Sequence, residues 1–275
     1  MNSIVNKSLR RLYLLGKTVR WGMRPCPAGA RETRLIAGAQ RSGTNLVMDI
    51  LERSWEADVY HESDPRAFQV YRMRPLPIIQ ELRKRSRAKC FILKALCESQ
   101  DLPELMEQLA PAKAVWVLRN YNDVVNSMVI SFPRTHEDLQ RIAQDRKLGG
   151  WRTEGMSEQT YRLVSGLVKR HGDALTNASA SALQWYFRNV LYFEKGFYQH
   201  PDIKLLRYED LVTQPQRTVS GLFEFFGLPY HPWVHGMVFS SSLRKRPAPE
   251  LLPEVAELCE KLWQRFQELE KPQSI

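Results

Sequence analysis

Apolar residues along this chain form short continuous runs that alternate with longer segments of helical spacing. The runs predict strands because each is too short for a helix and is bounded by polar or turn-forming residues. The predicted strands are the start of Leu35–Leu51, a weak strand at Val59–Tyr60, Cys90–Leu93, Ala114–Leu118 and Ile203–Leu206. The predicted helices are Thr44 to about Trp55, one opened by Pro75 and Pro77, Asp101–Leu109, one after residues 120–123, Leu183–Phe197, one from Thr213 and Pro215 to Gly227, and Pro253–Leu269. This alternation predicts an α/β fold, a mostly parallel sheet with helices on both faces, and leaves the order of the strands open.

The first strand runs into a loop with the glycine spacing of a phosphate-binding loop. Gly38 and Gly43 have the G-x-x-x-x-G spacing that lets backbone N–H groups surround an anion at the start of a helix. A nucleoside-triphosphate loop would continue with Lys and then Ser or Thr, but Thr44 and Asn45 stand there, and the cation is Arg41. The pattern favours a phosphate-like donor handled without a metal; the alternative is a tight turn that binds nothing.

The strongest predicted strand ends in a second basic group. Ala114–Leu118 is followed by Arg119, where a magnesium-dependent nucleotide enzyme would often carry an aspartate, and Ser127 follows eight residues later. An arginine fork and a hydroxyl suit a phosphate, so one donor with two separated phosphate-like groups could use both strand ends. The alternatives are a salt bridge from Arg119 to Asp123 or Glu209 and a surface hydroxyl at Ser127.

The length of 275 residues suits a single domain over residues 1–275. Residues 1–30 contain a basic helix or arm, and residues 132–178, which lack a strand pattern, are a candidate lid or acceptor-facing insertion or a plain helical hairpin. The basic helix is more easily explained by docking on its own domain than by lying on an anionic membrane surface. Its apolar runs are too short for a signal core or a membrane span, so we expect a cytoplasmic protein, with peripheral membrane contact as the alternative.

The charge balance indicates anionic ligands. The chain has 40 basic and 30 acidic residues, a formal charge of +10. Nucleic acid is not expected, because no zinc-finger spacing or aromatic-basic RNP-like run occurs. The four cysteines form no C-x-x-C pair, so free thiols in a reducing compartment and no metal site are expected. The oligomeric state is not predicted.

Three motifs in this order resemble the sulfotransferases that use 3′-phosphoadenosine 5′-phosphosulfate (PAPS). GAQRSGTNL at Gly38–Leu46 is similar to the 5′-phosphosulfate loop of that family, and VLRNYNDVVNS at Val117–Ser127 is similar to its 3′-phosphate motif. LLRYEDLVTQP and FEFFGLP, within Leu205–Pro229, resemble its Tyr-Glu-Asp-Leu segment and the helix after it. The resemblance covers roughly residues 34–130 and 203–230, and the Arg-Ser-Gly-Thr form is nearer the Golgi-type, tyrosylprotein and bacterial branches. It implies a P-loop-like sulfotransferase fold.

The resemblance also implies a role for individual residues. The residues that would hold the 5′-phosphosulfate are Arg41, Ser42, Gly43, Thr44 and Asn45, and those that would hold the 3′-phosphate are Arg119 and Ser127. Tyr208 would shape the adenosine side, and Ser240–Arg246 loosely resembles the nucleotide-covering loop. The catalytic candidates are Glu62 as base, His61 as the rival base, and Lys94 with Arg41 on the leaving oxygen.

The reaction implied is metal-independent, in-line transfer of a sulfuryl group from PAPS to an acceptor hydroxyl. A carbohydrate acceptor is expected by analogy with the branch. The basic segment Arg72–Arg87 and the residues His136, Trp151 and Arg152 could instead face a peptide or a lipid headgroup, or be solvated helix faces. Two rival functions are a P-loop small-molecule kinase and a catalytically inactive relative that binds a nucleotide or glycan.

Overall fold

The computed structural model describes residues 2–236, 238–239 and 243–269, without side chains for residues 2–9 and residue 28. The strands are β1 (Glu32–Gly38), β2 (Ala57–Tyr60), β3 (Phe68–Gln69), β4 (Arg72–Met73), β5 (Cys90–Lys94), β6 (Ala112–Leu118) and β7 (Ile203–Arg207). The helices of the first half are α1 (Asn2–Met23), α2 (Thr44–Glu52), α3 (Leu76–Arg85), α4 (Leu102–Gln108), α5 (Tyr121–Ser131) and α6 (Thr135–Gln144). The remaining helices are α7 (Glu158–His171), α8 (Asn177–Asn189), α9 (Leu191–Glu194), α10 (Tyr208–Thr213), α11 (Pro215–Phe226) and α12 (Pro253–Glu268).

Five of these strands form a parallel sheet in the order β2-β5-β1-β6-β7. The predicted α/β class is therefore confirmed, and the structure supplies the order that the sequence left open. β1 lies in the centre between β5 and β6, so the loop after β1 lies between the carboxyl ends of both neighbours. Open α/β sheets bind ligands at this edge, where the chain leaves adjacent strands in opposite directions.

The sheet is covered on both faces, as its near-continuous apolar strands predict. Successive residues of one strand point to opposite faces, and accordingly Leu35 packs in one core cluster and Ile36 in the other. Trp116 and Val117 of β6 divide in the same way. Burial on both faces fixes the register of the central strands, because a shift by one residue would exchange the two sets of side chains.

One predicted helix is broken in the structure. The pattern from Leu183 to Phe197 predicts a single long helix, but α8 ends at Asn189, α9 covers only Leu191–Glu194, and a single 3₁₀ turn follows. Gly196 lies between the last two elements with φ 68°, a left-handed conformation that ends a helix. The apolar spacing continues across the break because both pieces pack on the same core.

The N-terminal helix α1 lies against the C-terminal end of α2. Tyr13 donates a hydrogen bond to the Arg53 carbonyl (2.5 Å), and the Trp21 indole N–H donates to the Trp55 carbonyl (2.7 Å). Lys17, which is buried, donates to the Glu52 carbonyl at 2.9 Å. The face of α1 that docks is therefore polar and aromatic.

Residues 132–178 contain α6, α7 and the start of α8 but no strand, in agreement with the sequence pattern. α6 and α7 flank a turn of 3₁₀ helix at Arg146–Arg152, in which Gly150 takes a left-handed φ of 52°.

Among the described helices, none has both the length and the apolar composition that crossing a bilayer requires. Within the same residues, no three His, Cys, Asp or Glu side chains come together as a metal site would need.

The buried position of Lys17 on α1 predicts how the free energy of unfolding depends on pH. Burial lowers the pKa of Lys17 from 10.5 to about 8, so between these values the unfolded chain binds a proton that the folded chain has lost. The free energy of unfolding should then rise with pH in this window, relative to Lys17→Met, by about 3 kcal/mol at most. Urea unfolding of both proteins across the window measures this difference.

Lys261→Met is the matched control, because Lys261 is exposed and pairs with Glu257 on its own helix. The difference in free energy of unfolding between Lys261→Met and the parent protein should stay constant across the same pH window. A difference between Lys17→Met and the parent protein that stays constant with pH would contradict the buried position of Lys17.

Candidate active site

A cavity of about 660 Å³ opens at the carboxyl edge of the sheet. Such a volume is typical of small-molecule sites. The site residues predicted from the sequence that line it are Arg41, Gly43, Thr44, Asn45, Glu62, Lys94, Arg119 and Ser127. Residues from the loop after β1, from the ends of β2, β5 and β6, and from α5 thus meet in one place.

The loop after β1 is held in shape by contacts that only glycine permits. Gly38 has φ 136°, and a Cβ there would lie 2.5 Å from the Val117 carbonyl oxygen of β6. Gly43 has φ 99°, and a Cβ there would lie 2.2 Å from the ring of Tyr208. Between them, Arg41 takes a left-handed φ of 65°, which is uncommon for a residue with a side chain and is often found at functional sites.

The two candidate anion motifs touch each other. The Arg41 Nε donates a hydrogen bond to the Ser127 Oγ at 2.9 Å, joining the loop after β1 to the helix after β6. Both side chains line the cavity. The separated basic groups of the sequence therefore lie side by side on one surface.

Arg119 lies over the ring of Tyr208, with 4.4 Å between its guanidinium carbon and the ring centroid. It also contacts Asp123 at 3.5 Å, one of the salt bridges considered from the sequence. The salt bridge and the site therefore coexist. Because Tyr208 also packs on Gly43, its ring connects the first loop with Arg119.

The turn after β6 is braced by Glu209, whose carboxylate accepts a hydrogen bond from the Asn120 backbone N–H at 2.8 Å. Burial raises the pKa of Glu209.

The predicted nucleotide-covering loop lies in part beside α5, because the backbone N–H of Arg244 donates a hydrogen bond to Asp123 at 3.1 Å. Residues 240–242 of that loop lie outside the described residues.

Lys94 is a buried cation that holds two other site residues. Its Nζ lies 2.7 Å from the Asn45 Oδ1 and 2.7 Å from the Glu62 Oε2. Burial lowers the pKa of Lys94, and the hydrogen bond to Glu62 opposes that shift. Asn45 thus has a structural role, because its amide oxygen orients the lysine.

His61 is placed elsewhere. Its Nε2 lies 3.3 Å from the Glu52 Oε1, and it lines a second cleft, beneath α1, together with Lys17 and Tyr60. Glu62, the next residue, points into the first cavity. Both residues follow β2 where the chain enters a turn, in which the Asp64 backbone N–H donates to the His61 carbonyl at 2.8 Å, and of the two only Glu62 lines the first cavity.

Ser42 is also away from the cavity lining. Its side chain is fully buried, and its Oγ has no hydrogen-bond partner among the residues that the structure describes. A phosphate-bearing donor fits the remaining groups, because Gly43 keeps the cradle open, α2 begins there, and Arg41 and Arg119 supply positive charge.

The outer wall of the cavity contains residues that sequence reasoning missed. Val70 and Tyr71 form the two-residue turn between β3 and β4, with left-handed φ values of 48° and 67°. Phe132 and Leu148 extend this apolar wall, next to Trp151, which the sequence analysis includes among the residues that could face the acceptor. Such hairpin turns usually carry Asn or Gly, so the usual sequence signal for the turn is absent.

Arg188 supports this wall from within the core. It is fully buried, and it donates to the carbonyls of Leu96 and Trp151, each at 3.3 Å, and to the Gln100 amide oxygen at 3.2 Å. Burial lowers the pKa of Arg188 to about 10. One buried guanidinium thus ties together two loops that line the cavity.

Comparison with known proteins identifies the family. The sequence model of the sulfotransferase domain matches residues 31–248, which is most of the chain and includes every candidate site residue. No curated protein sequence matches this chain.

Several solved sulfotransferase structures are similar at low sequence identity. A sulfotransferase domain of the olefin synthase from Synechococcus PCC 7002 has 13% identity and a TM-score of 0.47, over 85% of this chain and 94% of that one. Mouse sulfotransferase SULT7A1, solved in complex with PAP, has 13% identity and a TM-score of 0.46, over 90% and 88%. Sulfotransferase STF9 from Mycobacterium avium has 11% identity and a TM-score of 0.47, over 90% and 78%. The match to the domain model, over most of the length, shows that this chain belongs to the sulfotransferase domain family and is a sulfotransferase.

Proposed function

We propose that this sulfotransferase uses PAPS as its donor and transfers the sulfuryl group to a hydroxyl of a carbohydrate acceptor without a metal ion. The observation that carries the donor assignment is the hydrogen bond between Arg41 and Ser127, because it brings the two anion motifs into one cavity. A donor with phosphate groups at both ends of an adenosine would meet both motifs at once. The loop after β1 would hold the phosphosulfate, and Arg119 with Ser127 would hold the 3′-phosphate.

Glu62, Lys94 and Arg41 would have different roles in the transfer. Glu62 would accept the proton of the acceptor hydroxyl as the acceptor oxygen bonds to sulfur and the bond from sulfur to the bridging oxygen breaks. Lys94 and Arg41 would stabilise the negative charge that grows on that bridging oxygen. The Glu62–Lys94 ion pair keeps base and cation 2.7 Å apart, and Asn45 fixes the lysine from the other side. His61 faces the second cleft, so the geometry favours Glu62 as the base.

The acceptor would lie between Glu62 and the apolar wall. Tyr71 and Trp151 offer aromatic surfaces against which the C–H face of a sugar could pack, and Arg152 on the same lining pairs with Asp138 at 2.8 Å. A panel of sugars, phenols, long-chain alcohols and tyrosyl peptides assayed with labelled donor tests the acceptor class. Transfer to sugars is expected, whereas transfer only to another class would contradict the carbohydrate part and leave the sulfotransfer intact.

The donor assignment predicts a preference that distinguishes this protein from a kinase. Adenosine 3′,5′-bisphosphate should bind in excess EDTA, and at least about tenfold more tightly than ATP with magnesium, because a second phosphate site is matched. Calorimetric titration of the purified protein with both ligands measures this. A preference for ATP with magnesium would indicate a kinase instead.

Two glycine variants provide a control for that titration. Gly43→Ala should abolish bisphosphate binding, since its Cβ would meet the Tyr208 ring at 2.2 Å and its φ is left-handed. Gly166→Ala, on α7, has no neighbour within 4 Å of the added Cβ and should bind as the parent protein does. Equal affinities for the two variants would place the ligand outside this loop.

The catalytic assignment predicts that turnover and donor binding can be separated. Glu62→Gln and Lys94→Ala should each lower kcat by about 10²–10⁴, and the dissociation constant of the bisphosphate should change by less than about threefold. Steady-state assays with labelled donor, combined with calorimetry, measure both quantities.

Two further substitutions serve as controls. Glu154→Gln alters an exposed carboxylate that pairs with Arg72 and does not line the cavity, and His61→Gln alters the rival base. Both should retain kcat within about threefold. Loss of turnover in His61→Gln but not in Glu62→Gln would reverse the assignment, and no measurable turnover in the parent protein with any acceptor would favour an inactive relative.

A further inference from the structure

Helix α1 carries an apolar stripe that faces away from the rest of the protein. Leu12, Leu15, Val19 and Met23 follow one another at spacings of three or four residues, which places them on one face of the helix. Their exposed fractions are 65%, 60%, 54% and 72%. The outward face of this helix is therefore its apolar face.

This orientation is the reverse of the usual one. A surface helix normally turns its apolar stripe towards the core and its polar side to water. Here the opposite side docks, through Tyr13, Lys17 and Trp21, whose hydrogen bonds to backbone carbonyls around the end of α2 hold the helix in this rotation. Contiguous exposed apolar surface of this kind marks a site of interaction.

The charge next to the stripe identifies the kind of partner. α1 contains no acidic residue over Asn2–Met23. The basic segment 83–87 at the end of α3 meets the C-terminal end of α1, where the Cys26 backbone N–H donates to the Arg87 carbonyl at 2.9 Å. The Arg87 guanidinium lies 3.8 Å from the position that a Cβ of Gly22 would take. Lys84 and Arg87 are exposed there.

We propose that α1 and the basic segment 83–87 together form a docking surface for an anionic lipid bilayer. An apolar stripe that inserts below the headgroups, with basic side chains at its border, is the arrangement of peripheral amphipathic helices. A second copy of this chain fits less well, because a two-fold contact through the stripe would bring basic residues of both copies together. The proposal concerns a surface other than the catalytic cavity and is independent of the donor and acceptor assignments.

Co-sedimentation of the full chain with vesicles tests this surface. The protein should bind vesicles of phosphatidylcholine mixed with phosphatidylglycerol at least about tenfold more strongly than vesicles of phosphatidylcholine alone, and added salt should weaken the binding. Leu15→Glu should reduce binding to the anionic vesicles by about tenfold or more, because it places a charge in the stripe. Lys84→Glu combined with Arg87→Glu should do the same.

Matched variants on α7 control for the added charge. Leu163 is 40% exposed, so Leu163→Glu repeats the apolar change elsewhere. Arg162→Glu with Lys169→Glu repeats the charge reversal on an exposed face. These variants should bind vesicles as the parent protein does, and circular dichroism should show that all variants fold.

Three results would overturn the proposal. The first is the absence of binding to anionic vesicles. The second is binding that the α1 and α3 variants reduce no more than the α7 variants do. The third is a dimer in solution that Leu15→Glu dissociates, together with vesicle binding that is unaffected, since the stripe would then be an interface between two copies.

Discussion

The hydrogen bond between Arg41 and Ser127 joins the two candidate anion motifs. It connects the loop after the central strand to the helix after the neighbouring strand. The parallel pairing of β1 with β6 makes this contact possible, because it brings both carboxyl ends to the same height. Gly38 is needed at this point because a side chain would collide with the backbone of β6.

Tyr208, which directly follows β7, links the end of this strand to both anion motifs. Its ring lies against Gly43 on one side and under the Arg119 guanidinium on the other, and Glu209 beside it holds the Asn120 N–H. The end of β7 therefore supports both anion motifs without itself lining the cavity. Placing charged groups on strand ends and helix starts keeps them fixed before any ligand arrives, which is the condition for electrostatic stabilisation of a transition state.

Lys94 shows how the site balances burial against charge. A buried ammonium is costly unless it is paired, and Glu62 with Asn45 provides that pairing at 2.7 Å each. The same pairing brings the proposed base and the proposed charge-stabilising cation into contact. Arg188 has a related role in the outer wall, where its hydrogen bonds to Leu96, Gln100 and Trp151 hold two loops together.

The sequence predicted the features that depend on local pattern. The five strands of the sheet and most helices follow from apolar spacing, and the glycine spacing at Gly38 and Gly43 predicts the loop between β1 and α2. The strand order, the break after Asn189 and the different cleft that His61 faces depend on long-range packing, which spacing does not encode. The turn at Val70 and Tyr71 lacks its usual Asn or Gly signal, so the sequence predicts Trp151 near the acceptor but not the part of the apolar wall that this turn forms. Likewise, the sequence predicts that α1 docks on its own domain, but helical spacing does not show that its apolar stripe faces outward.

A crystal structure of the protein with adenosine 3′,5′-bisphosphate would show whether one donor-like molecule reaches both anion motifs. We expect one ligand molecule with its 5′-phosphate at the loop around Gly43 and Thr44 and its 3′-phosphate against Arg119 and Ser127. A ligand that contacts only one of these groups, or that binds in another cleft, would show that the two motifs do not hold one donor.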